Sequence, residues 1–355
     1  MKYAILAGLL LALPAAAQPE QPVPTASTPV EDVLAASPHL DISNGLITAR
    51  IAPPDLTRGF YRGTRFDHAG VVTSLTFKGR NFYGPWFDRV APEVLDYAYD
   101  TQGRVVGGPD SATSGPVEEF APLDFEARPG TFVKIGVGVL RQPDTQAYDH
   151  YRHYQVVDGG TRTTKITRDS ITFTQALSSN GTAYFYDLSS KGTAYIYEKT
   201  LRLVPGEPQL VIEHRLKNTG SKAISTSAYD HNFLTLKPGN AGIKVTFPFT
   251  VAAASPPPAD LMRIEGRTLT YLRPMKNKER ISFLITGFGN NAKDYDFRVE
   301  DTASGAGVRV RGDHPITRLN IFSIDKVQSV EPYIAIDLAP GEEKSWRYTY
   351  SFSIP

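Results

Sequence analysis

From Leu40 onward the chain alternates apolar and polar side chains in short runs, and each run is stopped by a turn. In "LITARI", "TLRL" and "GVRVRG" the apolar residues fall on every second position. That period sends successive side chains to opposite faces of a strand and suits no helix. Asn44-Gly45, Pro205-Gly206 and Pro340-Gly341 supply the reversals. The clearest hairpin places Tyr195, Tyr197, Lys199, Leu201 and Leu203 on one face of its first arm, and Leu210, Ile212, His214 and Leu216 on one face of its second. No amphipathic helix interrupts the series after Leu40, so roughly fifteen to twenty strands follow one another, which implies antiparallel sheets. The expectation is an all-β protein in which residues 39–355 form a single domain, a large antiparallel two-sheet sandwich.

The N-terminal part reads differently. Lys2, the apolar run Ala4–Leu13 and the small residues Pro14-Ala-Ala-Ala17 have the form of a signal peptide over residues 1–17. The apolar run is too short to span a bilayer, and no later stretch is long enough. Export, to a bacterial periplasm, is therefore expected, with no membrane partner. Residues 18–38, rich in Pro, Ala, Ser and Thr, read as a disordered linker with a short helix over Val30–Ala36 as its one local element. With no cysteine, the chain has no disulfide, no thiolate nucleophile and no lipoprotein anchor. A net charge of +1 gives no electrostatic reason to expect nucleic acid as a partner.

Two stretches carry candidate chemistry. Ser225 to Leu236 sets Tyr229, Asp230, His231 and Asn232 side by side between apolar residues, as at the mouth of a cleft. His231 is the natural proton carrier there, since its ordinary pKa lies nearest neutrality. Glu331 precedes Pro332, which has no backbone N–H, at the expected start of a strand over residues 333–338. A carboxylate beside an interrupted ladder is placed to face a ligand. Other groups read as structural. His214 lies on an apolar face, Tyr184, Tyr186, Tyr195 and Tyr197 read as sheet packing ahead of stacking on a sugar ring, and Arg58, Arg62 and Arg65 read as pairing with Asp55 and Asp67 ahead of holding a phosphate or carboxylate. His150 and His153, on a short strand, would face opposite sides and make a poor metal site. No phosphate loop, dinucleotide fingerprint or nucleophile elbow is present.

Tyr229-Asp-His-Asn-Phe233, together with Glu331-Pro-Tyr-Ile-Ala-Ile-Asp-Leu-Ala-Pro-Gly-Glu342 and the opening "GTRFDHAGVVTSLTFKGRNFYG", resembles the aldose 1-epimerase (galactose mutarotase-like) superfamily. The resemblance covers residues 40–355. It implies a β-supersandwich that interconverts the anomers of a free aldose, with His231 as general acid on the ring oxygen and Glu331 as general base on the anomeric hydroxyl. It implies neither metal nor organic cofactor. Arg65 in Gly63-Thr64-Arg65 stands where the family holds the sugar with an asparagine-arginine pair. Asp230, Asn232 and Tyr229 are the further expected substrate contacts. The family's second histidine has no match in "NFYGPWFDRVAPEV"; His68 before it and His150 and His153 after it are the candidates to take over substrate positioning, and His153 is counted among the expected contacts. Asp187 is a weak counterpart of the sugar-binding aspartate. The expected partner is a small sugar or an oligosaccharide. A non-catalytic carbohydrate-binding protein, or a lyase using His153, Tyr154 and Arg152, stays open.

Overall fold

The computed structural model describes residues 27–91, 97–108, 110–178, 192–276 and 279–355. The expected signal peptide, the first part of the linker, and Tyr184, Tyr186 and Asp187 lie outside the described residues. The rest of the expected linker is folded. Thr28–Pro29 pairs antiparallel with the strand Arg89–Ala91, and Val30–Ala36 is a helix. Val30, Val33 and Leu34 fall on one helical face and dock on the cluster that holds Trp86, Phe87 and Val90. Three apolar residues at this spacing suffice to order a stretch whose overall composition reads as disordered.

Two antiparallel sheets dominate. The smaller has six strands in the spatial order Ala252–Ala253, Ile281–Thr286, Arg318–Ile324, Val327–Leu338, Ile224–His231, Val117–Phe120. The larger has ten, and its centre runs Tyr195–Leu203, Gln209–Asn218, Glu343–Ser353, Gly307–Gly312. The long hairpin closes as the sequence implies, with Leu201 opposite Ile212 and Lys199 opposite His214. One face of each sheet meets the other. Leu319, Ile321, Ile334 and Ile336 of the smaller share a buried cluster with Leu210, Ile212, Tyr348 and Tyr350 of the larger. Full burial of each such side chain contributes about 1.5–3 kcal/mol.

A charged cluster sits inside this apolar layer. Glu118 of the smaller sheet is bonded by Lys199 and His214 of the larger, and Asp67 lies 3.6 Å from Lys199. His214 is thus a core histidine, as expected, and Tyr195 and Tyr197 are buried in the sheet. Two expectations about local structure fail. The stretch from Tyr148 to Tyr154 is a loop, and the strand begins only at Val156. The C-terminal strand that carries Glu331 starts at Val327, not Tyr333, so Glu331 lies mid-strand. Pro332 is accommodated there opposite Leu319.

Candidate active site

The face of the smaller sheet turned away from the core is polar, and strand register explains its layout. Asn320 pairs with Glu331, Arg318 with Tyr333, and Tyr333 in turn with Tyr229, which pairs with Glu119. His231, two residues beyond Tyr229, and Glu331, two residues before Tyr333, therefore come side by side. Period-two alternation sends Tyr229, His231, Asn320, Glu331 and Tyr333 to one face. They floor a cavity of about 360 Å³, within the range of small-molecule sites. Irregular segments raise the walls, among them Arg65, His150 and Tyr151.

His231 Nε2 lies 3.1 Å from Glu331 Oε1, and each side chain is only 4% exposed. The approach lacks hydrogen-bond directionality, and Oε1 has no hydrogen bond of its own. The other oxygen, Oε2, accepts a 2.8 Å bond from the Asn320 amide. Ser329 Oγ accepts the Asn232 backbone N–H at 2.9 Å and lies 3.1 Å from His231 Nδ1. When Ser329 donates to Nδ1, the imidazole carries its proton on Nε2, toward Glu331. Phe233, at φ +39°, turns the chain at the strand end so that its ring stacks on the imidazole at 3.6 Å. Backbone of this kind in a bulky residue is strained, and such strain collects at functional sites.

Burial dominates the electrostatics of the pair. It lifts the Glu331 carboxyl to about 7 against the opposing Asn320 bond and the Arg65 charge. It also drives His231 well below its ordinary value, helped by the charges of Arg65 and Arg280 and by His150. His231, whose ordinary pKa made it the expected proton carrier, is thus held toward its neutral form by desolvation, while the Glu331 carboxyl keeps its proton to higher pH. Because the groups touch, their titration belongs to the pair.

Arg65 donates to Glu119 Oε2 at 2.8 Å and to the Tyr229 hydroxyl at 3.1 Å. Arg65 was expected to pair with Asp67, but Asp67 turns into the core, where it accepts from the Tyr197 hydroxyl. Despite its burial, Glu119 is held down to about 2 by Arg65 and Lys134. Gly63 lets this loop close, since a Cβ there would run into the Tyr61 hydroxyl and the Asp110 carboxylate. Arg58 pairs with Asp55 as expected.

The remaining expected contacts divide. Tyr229 lines the cavity. Asp230 and Asn232 do not: the alternation that exposes His231 turns both inward, and both are fully buried. Asp230 faces Glu118 and accepts from the Tyr350 hydroxyl. Burial and the Glu118 charge raise it well above the usual carboxylate range, so it is a neutral core acid. Asn232 donates to the Val330 carbonyl at 2.7 Å. His153 is not in the cavity either, because its Nδ1 meets Asp110 Oδ1 at 3.1 Å. His150 lines the wall instead, carried there by the loop where a strand was expected. Sequence reasoning missed Glu119, although Glu118-Glu119 in a strand must split between two faces. It also missed Asn320 and Ser329, whose positions follow from register with Glu331. Among the described residues no three His, Asp or Glu side chains converge as a metal site.

Comparison with solved structures decides the architecture. A GalM/aldose epimerase homologue from C. elegans superposes with a TM-score of 0.52 at 13% identity, over 90% of this chain and 99% of that one. A galactose mutarotase-like protein from Clostridium acetobutylicum gives 0.52 at 14% identity, over 89% and 95%. One from Lactobacillus casei gives 0.50 at 12%, over 89% and 100%. The chain has the galactose mutarotase-like fold. No protein-family model matches the sequence, and no curated protein does. The fold is thus shared with these structures at no more than 14% sequence identity.

Proposed function

We propose that the protein is a mutarotase-like isomerase that interconverts the anomers of an aldose, with His231 and Glu331 as its proton-transfer pair. The observation that carries this reading is the direct contact of an imidazole and a carboxyl, 3.1 Å apart, at the floor of a sugar-sized cavity. Ring opening takes a proton from O1 and gives one to O5, both bonded to C1. The C1–O5 bond breaks, C1–O1 becomes a carbonyl, and rotation about C1–C2 presents the other face for closure. One acid and one base within reach of neighbouring oxygens are required, and no electrons are exchanged.

The pair holds one proton near neutrality. Moving it from Glu331 to His231 yields the productive form, an imidazolium beside O5 and a carboxylate beside O1. The incoming O1 hydroxyl parts the two groups, in keeping with the way unliganded sites tighten only around substrate. Arg65 and Tyr229 are the proposed contacts to the sugar hydroxyls. Export is proposed with this activity, on the pattern of residues 1–17.

Polarimetry on freshly dissolved α-D-glucose and α-D-galactose tests the proposal. The wild type should hasten the approach to equilibrium, and His231→Ala and Glu331→Gln should each lower kcat by about 10²–10⁴. Rates equal to the uncatalysed reaction for every sugar tried, with sugar binding retained, would instead leave a carbohydrate-binding protein.

A further inference from the structure

Two arginines in the cavity wall take no part in the pair's support. Arg280 and Arg318 both line the cavity, and among the described residues neither has a carboxylate within ion-pair distance. What they have is aromatic surface. The Arg280 guanidinium lies 5.2 Å over the Phe322 ring and donates to the Tyr151 hydroxyl at 2.7 Å. Arg318 lies 5.0 Å over the Tyr333 ring. Rings orient a guanidinium without neutralising it. Both arginines are exposed and permanently charged, so each keeps donors free on the cavity side.

Their place relative to the proton-transfer pair is set by the same sheet. Phe322 meets the His231 ring edge-on at 5.2 Å, so Arg280 stands one ring beyond the imidazole. Tyr333 stacks on Tyr229 at 4.2 Å, one rung from Glu331. The cations nearer the pair share one carboxylate: Glu119 takes Arg65 at 2.8 Å and Lys134 at 3.6 Å, and Lys134 also donates to the Arg65 carbonyl and to the Tyr148 hydroxyl. Arg280 and Arg318, with no such carboxylate, stand on the side of the cavity formed by the strands Ile281–Thr286 and Arg318–Ile324.

We propose that the ligand is an acidic sugar, whose oxyanion, a carboxylate or a phosphate ester remote from C1, is held by Arg280 with Arg318 beside it. The proposal rests on the mutarotase reading only for the orientation of the sugar. A neutral hexose leaves these two charges unanswered. An oxyanion gains charge-assisted and bidentate hydrogen bonds from them.

Calorimetric titration separates this from catalysis, because a methyl glycoside binds but cannot mutarotate. Methyl β-D-glucuronide should bind at least about tenfold more tightly than methyl β-D-glucoside, the size expected of a hydrogen bond to a charged group. Arg280→Ala should remove most of that ratio, and Arg280→Lys should restore part of it. An unchanged unfolding midpoint shows that each variant is folded. Equal binding of the two glycosides, or a ratio that Arg280→Ala leaves in place, would overturn the proposal. Glucose 6-phosphate distinguishes the two oxyanions: tighter binding than glucuronide assigns a phosphate ester, and weaker binding a carboxylate. A glucuronide preference without accelerated mutarotation of D-glucuronate would sink the isomerase reading and leave the acidic-sugar site standing.

Discussion

His231 and Glu331 are useful together because burial has moved them in opposite senses. Burial leaves a lone imidazole unprotonated and a lone carboxyl uncharged, so neither alone holds the form the reaction needs, but a touching pair with one proton can supply both by passing it across. That one-proton state lies between the low value of His231 and the value of about 7 for Glu331. Activity should therefore be flat through mildly acidic pH and fall as pH rises through about 7, which a pH profile of kcat/KM would show. The same shift has a cost in stability. Folding favours protonated Glu331, so its contribution is full below the ordinary value of 4.5 and is lost as pH climbs through about 7. Glu331→Gln abolishes this dependence, and the variant should be more stable than the wild type at pH 8 by up to about 3 kcal/mol, with no such gain at pH 4. Denaturant unfolding at the two pH values measures it. Equal pH dependence of the two proteins would mean that Glu331 ionises freely.

Strand alternation decides which side chains meet a ligand, and it divides adjacent residues that look alike in sequence. Tyr229 and His231 face the cavity while Asp230 and Asn232 face the core. Asp230→Asn should leave KM unchanged and alter stability by no more than about 1 kcal/mol, because an amide can donate to Glu118 as the neutral carboxyl does. A raised KM would return Asp230 to the ligand. His231 and Glu331 were legible in sequence because each stands in a short distinctive context beside a strand. The run Tyr229-Asp-His-Asn232 looks in sequence like four neighbouring ligand contacts, but a strand presents only every second residue to one face. Sequence could not choose His150 over His153 as the cavity histidine, because the path of an irregular loop is set by tertiary contacts, here the packing of Tyr148 and Tyr154 on Phe132.

The two sheets are joined by more than apolar packing. Glu118 of one is answered by Lys199 and His214 of the other, and Asp230 and Asp67 crowd the same region. Removing one member leaves charge stranded in the core, so Lys199→Met should destabilise the fold by about 3–5 kcal/mol. A loss under about 1 kcal/mol in denaturant titration would show that the cluster relaxes or takes in water. The all-β class was legible because alternation runs through nearly the whole chain, and the turn at Pro205-Gly206 fixes the register of the long hairpin, whereas Pro340-Gly341 carries the chain from the smaller sheet to the larger. The charged cluster was not, since Glu118 and Lys199 lie far apart in sequence and nothing local joins them. The central claim, that one imidazole and one carboxyl pass protons to the two oxygens of an anomeric carbon, is tested most directly by exchange NMR on an equilibrated mixture of α and β anomers. Wild-type protein should produce exchange cross-peaks between the two anomeric protons for glucose or glucuronate, and Glu331→Gln and His231→Ala should each remove them. Cross-peaks of undiminished intensity in either variant would contradict it.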